Sequence, residues 1–163
     1  MEILSKSLTE TKAIAANFLD ELVKTKQEVS SERRRGTTVV SLSGDLGSGK
    51  TIFAQAVAEI LGIKERVTSP TFVIMKNYRL PKGVALSSGK ATPWTQLVHI
   101  DCYRLDKADD LLHLGWNELV VNPGNLILIE WPERVGDLIS SPILKIKFEV
   151  VGENSRKIIY GEK

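Results

Sequence analysis

Gly44-Asp45-Leu46-Gly47-Ser48-Gly49-Lys50-Thr51 satisfies the pattern G-x-x-x-x-G-K-[ST] in full. Glycines let a backbone curl until successive N–H groups point inward at phosphate oxygens, and a helix opening there adds the positive field of its N-terminus. In such a loop a lysine placed as Lys50 is reaches the β and γ phosphates, and a hydroxyl placed as Thr51 is binds Mg²⁺. A second run, Ser88-Gly89-Lys90, does not repeat the pattern. Five residues separate Gly83 from Gly89, Ala91 has no hydroxyl, and no strand precedes it.

A triphosphate site also needs an acid on the metal side, normally at the C-terminal end of a neighbouring parallel strand, because that edge of the sheet faces the phosphate loop. Asp101 closes the run Leu97-Val98-His99-Ile100, and Glu130 closes Leu126-Ile127-Leu128-Ile129. Burying an unpaired charge is expensive, so a carboxylate that ends an apolar strand is seldom there for packing. Thr68-Ser69-Pro70-Thr71 falls where nucleotide enzymes place a loop that senses the γ-phosphate; the bland reading is a turn with a cluster of hydroxyls. His99 and His113 have no companions at metal-ligand spacing and read as structural or surface histidines.

These groups need elements to hold them. Thr37 to Leu42 is short and β-branched, as a buried strand should be, and Gly49 to Leu61 reads as a helix with Ile52, Ala56, Val57 and Ile60 inward and Gly62 at its C-terminal cap. Before them, residues 7 to 23 predict a helix with Ser7 and Glu10 at capping-box spacing and Ile14, Phe18 and Leu22 on one face. Lys24 to Gly36, which carries Arg33, Arg34 and Arg35, predicts a solvated loop, with anion binding by the arginines as the alternative. Strands are expected at Thr71 to Tyr78, Leu97 to Tyr103 and Leu126 to Ile129. Leu80 to Gln96 is loop chemistry, and Asp106 or Asp109 is expected to cap a helix running to about Val120. Ile143 to Val151 and Lys157 to Tyr160 predict a closing hairpin. The alternation of strand and helix predicts one α/β domain over residues 1–163, three-layered, with a largely parallel sheet and antiparallel additions.

Composition agrees with that class. The 163 residues include 22 basic and 20 acidic side chains, a net charge of +2, which gives no case for a general nucleic-acid or membrane binder. The lone cysteine, Cys102, rules out an internal disulfide framework and reads as a small, half-buried strand residue. No stretch approaches the length of a membrane span, and the first residues lack a signal-peptide pattern, so a cytoplasmic location is expected.

The guanine signature Asn-Lys-x-Asp and the transporter signature Leu-Ser-Gly-Gly-Gln are both missing, so ATP is the expected nucleotide. From the residues alone three readings remain: an ATPase, a small-molecule kinase, and a nucleotide-sensing module without useful turnover.

Four stretches together narrow these. Leu42 to Thr51, Val67-Thr68-Ser69-Pro70-Thr71-Phe72, His99-Ile100-Asp101-Cys102-Tyr103-Arg104-Leu105 and Ile129-Glu130-Trp131-Pro132-Glu133-Arg134 resemble, in order and spacing, the bacterial tRNA threonylcarbamoyladenosine biosynthesis ATPase family TsaE, formerly YjeE. The resemblance covers about residues 5 to 160, with longer segments at Lys24 to Gly36 and Leu80 to Gln96. It implies a P-loop NTPase-like fold in which Leu46, Gly47, Ser48, Gly49, Lys50 and Thr51 hold the phosphates and Thr51 and Glu130 bind Mg²⁺. It implies further that Asp101 acts beside them in metal binding or water positioning, that Thr68, Ser69, Pro70 and Thr71 form a switch-like loop, and that Thr11 contacts the adenine. Trp131 and Tyr103 lie in family motifs, where packing is an adequate reading of both. The implied activity is weak, Mg²⁺-dependent ATP hydrolysis that drives or resets a complex with TsaB and TsaD, with tRNA met only through that complex.

Overall fold

A computed structural model of the chain describes residues 1–28, 36–139 and 143–161. Arg33, Arg34 and Arg35 lie outside the described residues. Along the chain run β1 (Glu2–Ser5), α1 (Leu8–Glu28), β2 (Thr38–Ser43), α2 (Lys50–Ile60), β3 (Met75–Arg79), β4 (Gln96–Asp101), α3 (Ala108–His113), α4 (Trp116–Val121), β5 (Asn125–Glu130), β6 (Ile143–Gly152) and β7 (Ser155–Tyr160). The strands form a seven-stranded sheet in the order β1-β7-β6-β2-β5-β4-β3. Its centre, β6-β2-β5-β4, is parallel, and β3, β7 and β1 add antiparallel edges.

Helices cover both faces, giving three layers. On one face, α1 and α2 bury Phe18, Leu22, Phe53 and Val57 against Leu42, Leu97, Leu128 and Phe148; on the other, Leu111 of α3 and Trp116 of α4 meet Val98, Ile100, Ile127 and Ile129. Phe53 joins elements within the first layer. Its ring meets Phe18 of α1 edge-on at 5.7 Å and Phe148 of β6 at 5.5 Å. Full burial of such a side chain contributes roughly 1.5–3 kcal/mol, and Phe53 sits two residues after Thr51, so the same helix turn anchors the core and presents the hydroxyl.

Strand alternation then places the polar groups. Because side chains change face at each residue, His99 and Asp101 share the α2 face with Leu97, and Glu130 shares it with Leu126 and Leu128. Asp101 and Glu130 are paired across the parallel ladder, so both acids end at one edge, opposite the start of α2.

Several expectations are corrected. The first helix continues to Glu28, absorbing the start of the predicted polar loop, with Lys26 reaching back to the Thr38 hydroxyl and the Pro123 carbonyl. Ser7 does cap it, accepting from the Glu10 N–H at 3.1 Å, while the Glu10 carboxylate takes the N–H of Lys6. The strand predicted from Thr71 begins only at Met75, because the N–H groups of Val73 and Ile74 turn back onto the Pro70 carbonyl. The helix predicted up to Val120 is broken at Gly115, whose φ of 84° ends α3 and starts α4, and its start is capped by Asp110, not by Asp106 or Asp109. Strand β1 was not expected; four residues with a mixed exposure pattern give too short a signal. The segment after β3 is the predicted loop, held to α1 by Ser87 and Ser88 on Asp20 and by Lys90 on Gln27. No described helix is long and apolar enough to cross a membrane.

Candidate functional site

The glycine loop is shaped by β2 and β6 before any ligand is considered. Gly44 has φ 138°, and a Cβ there would run into the backbone carbonyl of Phe148 and the Ser48 hydroxyl, so glycine is required for the chain to leave β2. Gly49, at φ 105°, is the N-cap of α2; it supplies no side-chain cap, and the first turn carries no acid. The amide end of α2 therefore presents its partial positive charge to the loop's concave side.

Lys50 folds back across this loop. Its Nζ donates to the carbonyls of Gly44 at 2.6 Å and Asp45 at 2.9 Å and lies 4.2 Å from the centre of the Trp131 ring. Burial holds the ammonium below the usual lysine range, opposed by the nearby charges of Glu130, Glu133, Asp101 and Asp45. The Thr51 hydroxyl bonds to the Glu130 carboxylate, 3.0 Å from Oε1 and 3.2 Å from Oε2. Glu130 is 2% exposed, and its Oε1 also lies 2.8 Å from Nε2 of the fully buried His99.

Asp101 anchors a different element. Its Oδ2 accepts from the hydroxyls of Thr71 and of Ser69, the latter at 3.2 Å, and its Oδ1 accepts the N–H of Tyr103 at 2.9 Å. The Thr68 to Thr71 segment is thus tied to the strand end that faces the phosphate loop, and the Thr68 hydroxyl accepts from Lys76 Nζ. Two bulky residues beside the acids have left-handed backbone, Ile74 at φ 66° and Trp131 at φ 57°. Each such residue costs about 1–3 kcal/mol. Ile74 lends its carbonyl to the Asp101 N–H, and Trp131 directly follows Glu130.

A cleft of about 220 Å³ brings together Leu46, Gly47, Gly49, Lys50, Thr51, Ser69, Thr71, Asp101 and Glu130, with Tyr103 and Trp131 on its wall. Ser48 is buried behind the loop, and Pro70 is buried within the Thr68 to Thr71 segment. Thr11 is not among the lining residues: it is buried in α1, its hydroxyl between Ser5 and the Ser7 carbonyl. Two residues in the site were not anticipated. His99, which reads from the sequence as a structural or surface histidine, lies buried against Glu130, and Arg156, on β7, lays its guanidinium against Gly49 with Nη1 buried and without a hydrogen-bond partner among the described residues. A lone arginine after a hairpin turn carries no local signal; only the β6–β7 register brings it to the loop. His99 did have a signal, since it lies two residues before Asp101 and so on the same face.

The donor chemistry suits Mg²⁺. Thr51 and Glu130 are hard oxygen donors, and among the described residues no group of three or more His, Cys, Asp and Glu is placed to cage a metal.

A glycine loop between a central parallel strand and a helix, facing acids on the adjoining strands, defines the P-loop class of α/β fold. The family model for "Threonylcarbamoyl adenosine biosynthesis protein TsaE" matches residues 5–158. The chain belongs to the TsaE family, whose role is in threonylcarbamoyladenosine biosynthesis on tRNA. It is similar to the tRNA threonylcarbamoyladenosine biosynthesis protein TsaE of Aquifex aeolicus, 31% identical over 97% of this chain and 96% of that one. With the Treponema pallidum TsaE it is 36% identical over 74% of this chain and 79% of the relative. The alignment with the Rickettsia felis TsaE, at 35% identity, covers 72% of this chain and 61% of that protein's length. Among solved structures, that of YdiB from Bacillus subtilis superposes with a TM-score of 0.65 at 29% identity, covering 98% of this chain and 83% of that one.

Cys102, expected to be half buried, is fully buried just after Asp101. Burial, with Asp101 and Glu133 adding to it, pushes its thiol up to about 12. The native protein is therefore expected to resist iodoacetamide at pH 8 and to be labelled in step with unfolding in urea, as mass spectrometry would show. Rapid native labelling would contradict this packing.

Proposed function

We propose that this chain, acting as one P-loop domain over residues 1–163, binds ATP with Mg²⁺ and hydrolyses it in the service of tRNA threonylcarbamoylation, in the cytoplasm, together with TsaB and TsaD. The observation that carries the reading is the Thr51 hydroxyl on the Glu130 carboxylate, at 3.0 and 3.2 Å, beside a lysine folded over a glycine loop. A hydroxyl and a carboxylate in contact at the head of the phosphate helix are the two protein ligands a nucleotide-bound Mg²⁺ uses.

The roles of the residues follow from what each now touches. Lys50 exchanges two neutral carbonyls for phosphate oxygens, and the new bonds are stronger because both partners are charged. The amides of Leu46, Gly47, Ser48 and Gly49 line the phosphates, and Arg156 meets the nucleotide from the β7 side of Gly49. Thr51 and Glu130 hold Mg²⁺, which when bound neutralises phosphate charge and fixes its orientation. Asp101, on the strand end next to Glu130, positions water or the outer shell of the metal and carries Ser69 and Thr71 with it. Trp131 stacks over the Lys50 ammonium and keeps water from one side of it. The chain meets tRNA only through the complex.

Lys50 belongs to neither apolar cluster, so Lys50→Ala is expected to fold, by circular dichroism, and to release no phosphate from ATP. Wild-type turnover in that variant would defeat the assignment of the loop.

The two acids should separate in a Mg²⁺ titration of nucleotide binding. Glu130→Ala is expected to lose the affinity that Mg²⁺ adds, whereas Asp101→Ala keeps binding and loses about 10²-fold or more in turnover. The reverse pattern would exchange their roles.

Hydrolysis by the isolated chain is expected to be slow, because a missing arginine finger or ordering contact costs 10³ to 10⁵ in rate. Phosphate release measured with and without TsaB and TsaD should rise on their addition, and equal rates would remove partner gating while leaving the ATP site in place.

A further inference from the structure

The geometry points to His99 as a positioning residue that holds the Glu130 carboxylate toward Thr51 through its Nε2. The inference rests on the proposed reading of Glu130 as the metal-side acid. It assigns a role to the neighbouring strand that no motif states.

His99 lies in the middle of β4, two residues before Asp101, with no exposed surface. Its Nε2 is 2.8 Å from Glu130 Oε1, while Nδ1 is buried and finds no partner among the described residues. The contact with Glu130 is therefore the polar partner of the ring among the described residues, and it ties the middle of β4 to the carboxylate that ends β5.

This contact matters for Glu130. The carboxylate meets His99 Nε2 on one side and the Thr51 hydroxyl on the other, which fixes its rotamer at the head of α2. A cation placed between Thr51 and Glu130 then meets a carboxylate already aimed. Partners of ligating carboxylates typically account for 10- to 100-fold in metal affinity.

Nucleotide-binding calorimetry with and without Mg²⁺ tests this. His99→Leu is expected to keep the Mg²⁺-free affinity and to lose about 10- to 100-fold of the enhancement by Mg²⁺, while His99→Gln, which restores a polar group at the Nε2 position, stays within about 3-fold of wild type. Full Mg²⁺ enhancement in His99→Leu overturns the inference. Should His99→Leu not fold, His99→Gln decides, and loss of the enhancement in that variant overturns the inference. A wild-type protein whose nucleotide affinity ignores Mg²⁺ would sink the proposed metal role of Glu130 and this inference with it, whereas a Mg²⁺-sensitive wild type beside an unaffected His99→Leu sinks the inference alone.

Discussion

Two carboxylates, Asp101 at 3% exposure and Glu130 at 2%, sit side by side at the ends of parallel strands, and a buried charge persists only with partners that replace water. Much of the surrounding structure can be read as that set of partners. Glu130 takes Thr51 from α2 and His99 from β4; Asp101 takes Ser69 and Thr71 from the loop before β3, and the Tyr103 amide from the turn after β4. Each carboxylate therefore clamps a different element to the sheet edge. Lys50 adds a positive charge to both without a direct bond to either, and its own donors rest on Gly44 and Asp45.

Holding this arrangement has a backbone cost, and the cost is local. Gly44 and Gly49 absorb the sharp turns of the phosphate loop at little expense, but Ile74 and Trp131 adopt left-handed φ with bulky side chains. Both flank the acids. Trp131 gains from the strained turn a ring over Lys50 and a contact with Tyr103 at 5.1 Å. The stability to support it comes from below, where Phe53 locks α1, α2 and β6 within the same helix that presents Lys50 and Thr51.

The parts of this site that were legible in the sequence are those encoded by local pattern. The phosphate loop, the strand before it and the helix after it lie in one unbroken stretch, and apolar runs ending in Asp101 and Glu130 announce their strands. The Asp101–Glu130 pairing itself was not legible, because register between strands separated by α3 and α4 is a tertiary property. Arg156 escaped for the same reason. The β-branched and aromatic residues from Thr71 to Ile74 carry strand propensity, and the pull of the Pro70 carbonyl and Asp101 on this segment outweighs it, so the strand starts later than that propensity predicts. One glycine within an amphipathic run is usually tolerated, whereas the positive φ of Gly115 separates α3 from α4.

Some of the hydrogen bonds that hold the cleft in its present form are made by groups that the proposed reading assigns to a triphosphate and its surroundings. Lys50 is occupied by two loop carbonyls and Asp101 by two loop hydroxyls, so on that reading ligand binding would exchange partners at these positions. Such an exchange is local on the Lys50 side, where Gly44 and Asp45 belong to the phosphate loop itself. On the Asp101 side it reaches further. Thr71 is followed by Phe72, 82% exposed with the Arg104 guanidinium 4.3 Å from its ring centre, and then by the strained turn at Ile74. A ligand that drew Asp101 away from Ser69 and Thr71 would loosen two side-chain bonds while the Pro70 carbonyl still holds the Val73 and Ile74 amides and Lys76 still holds Thr68, so the change would be felt first at the exposed Phe72 ring between them.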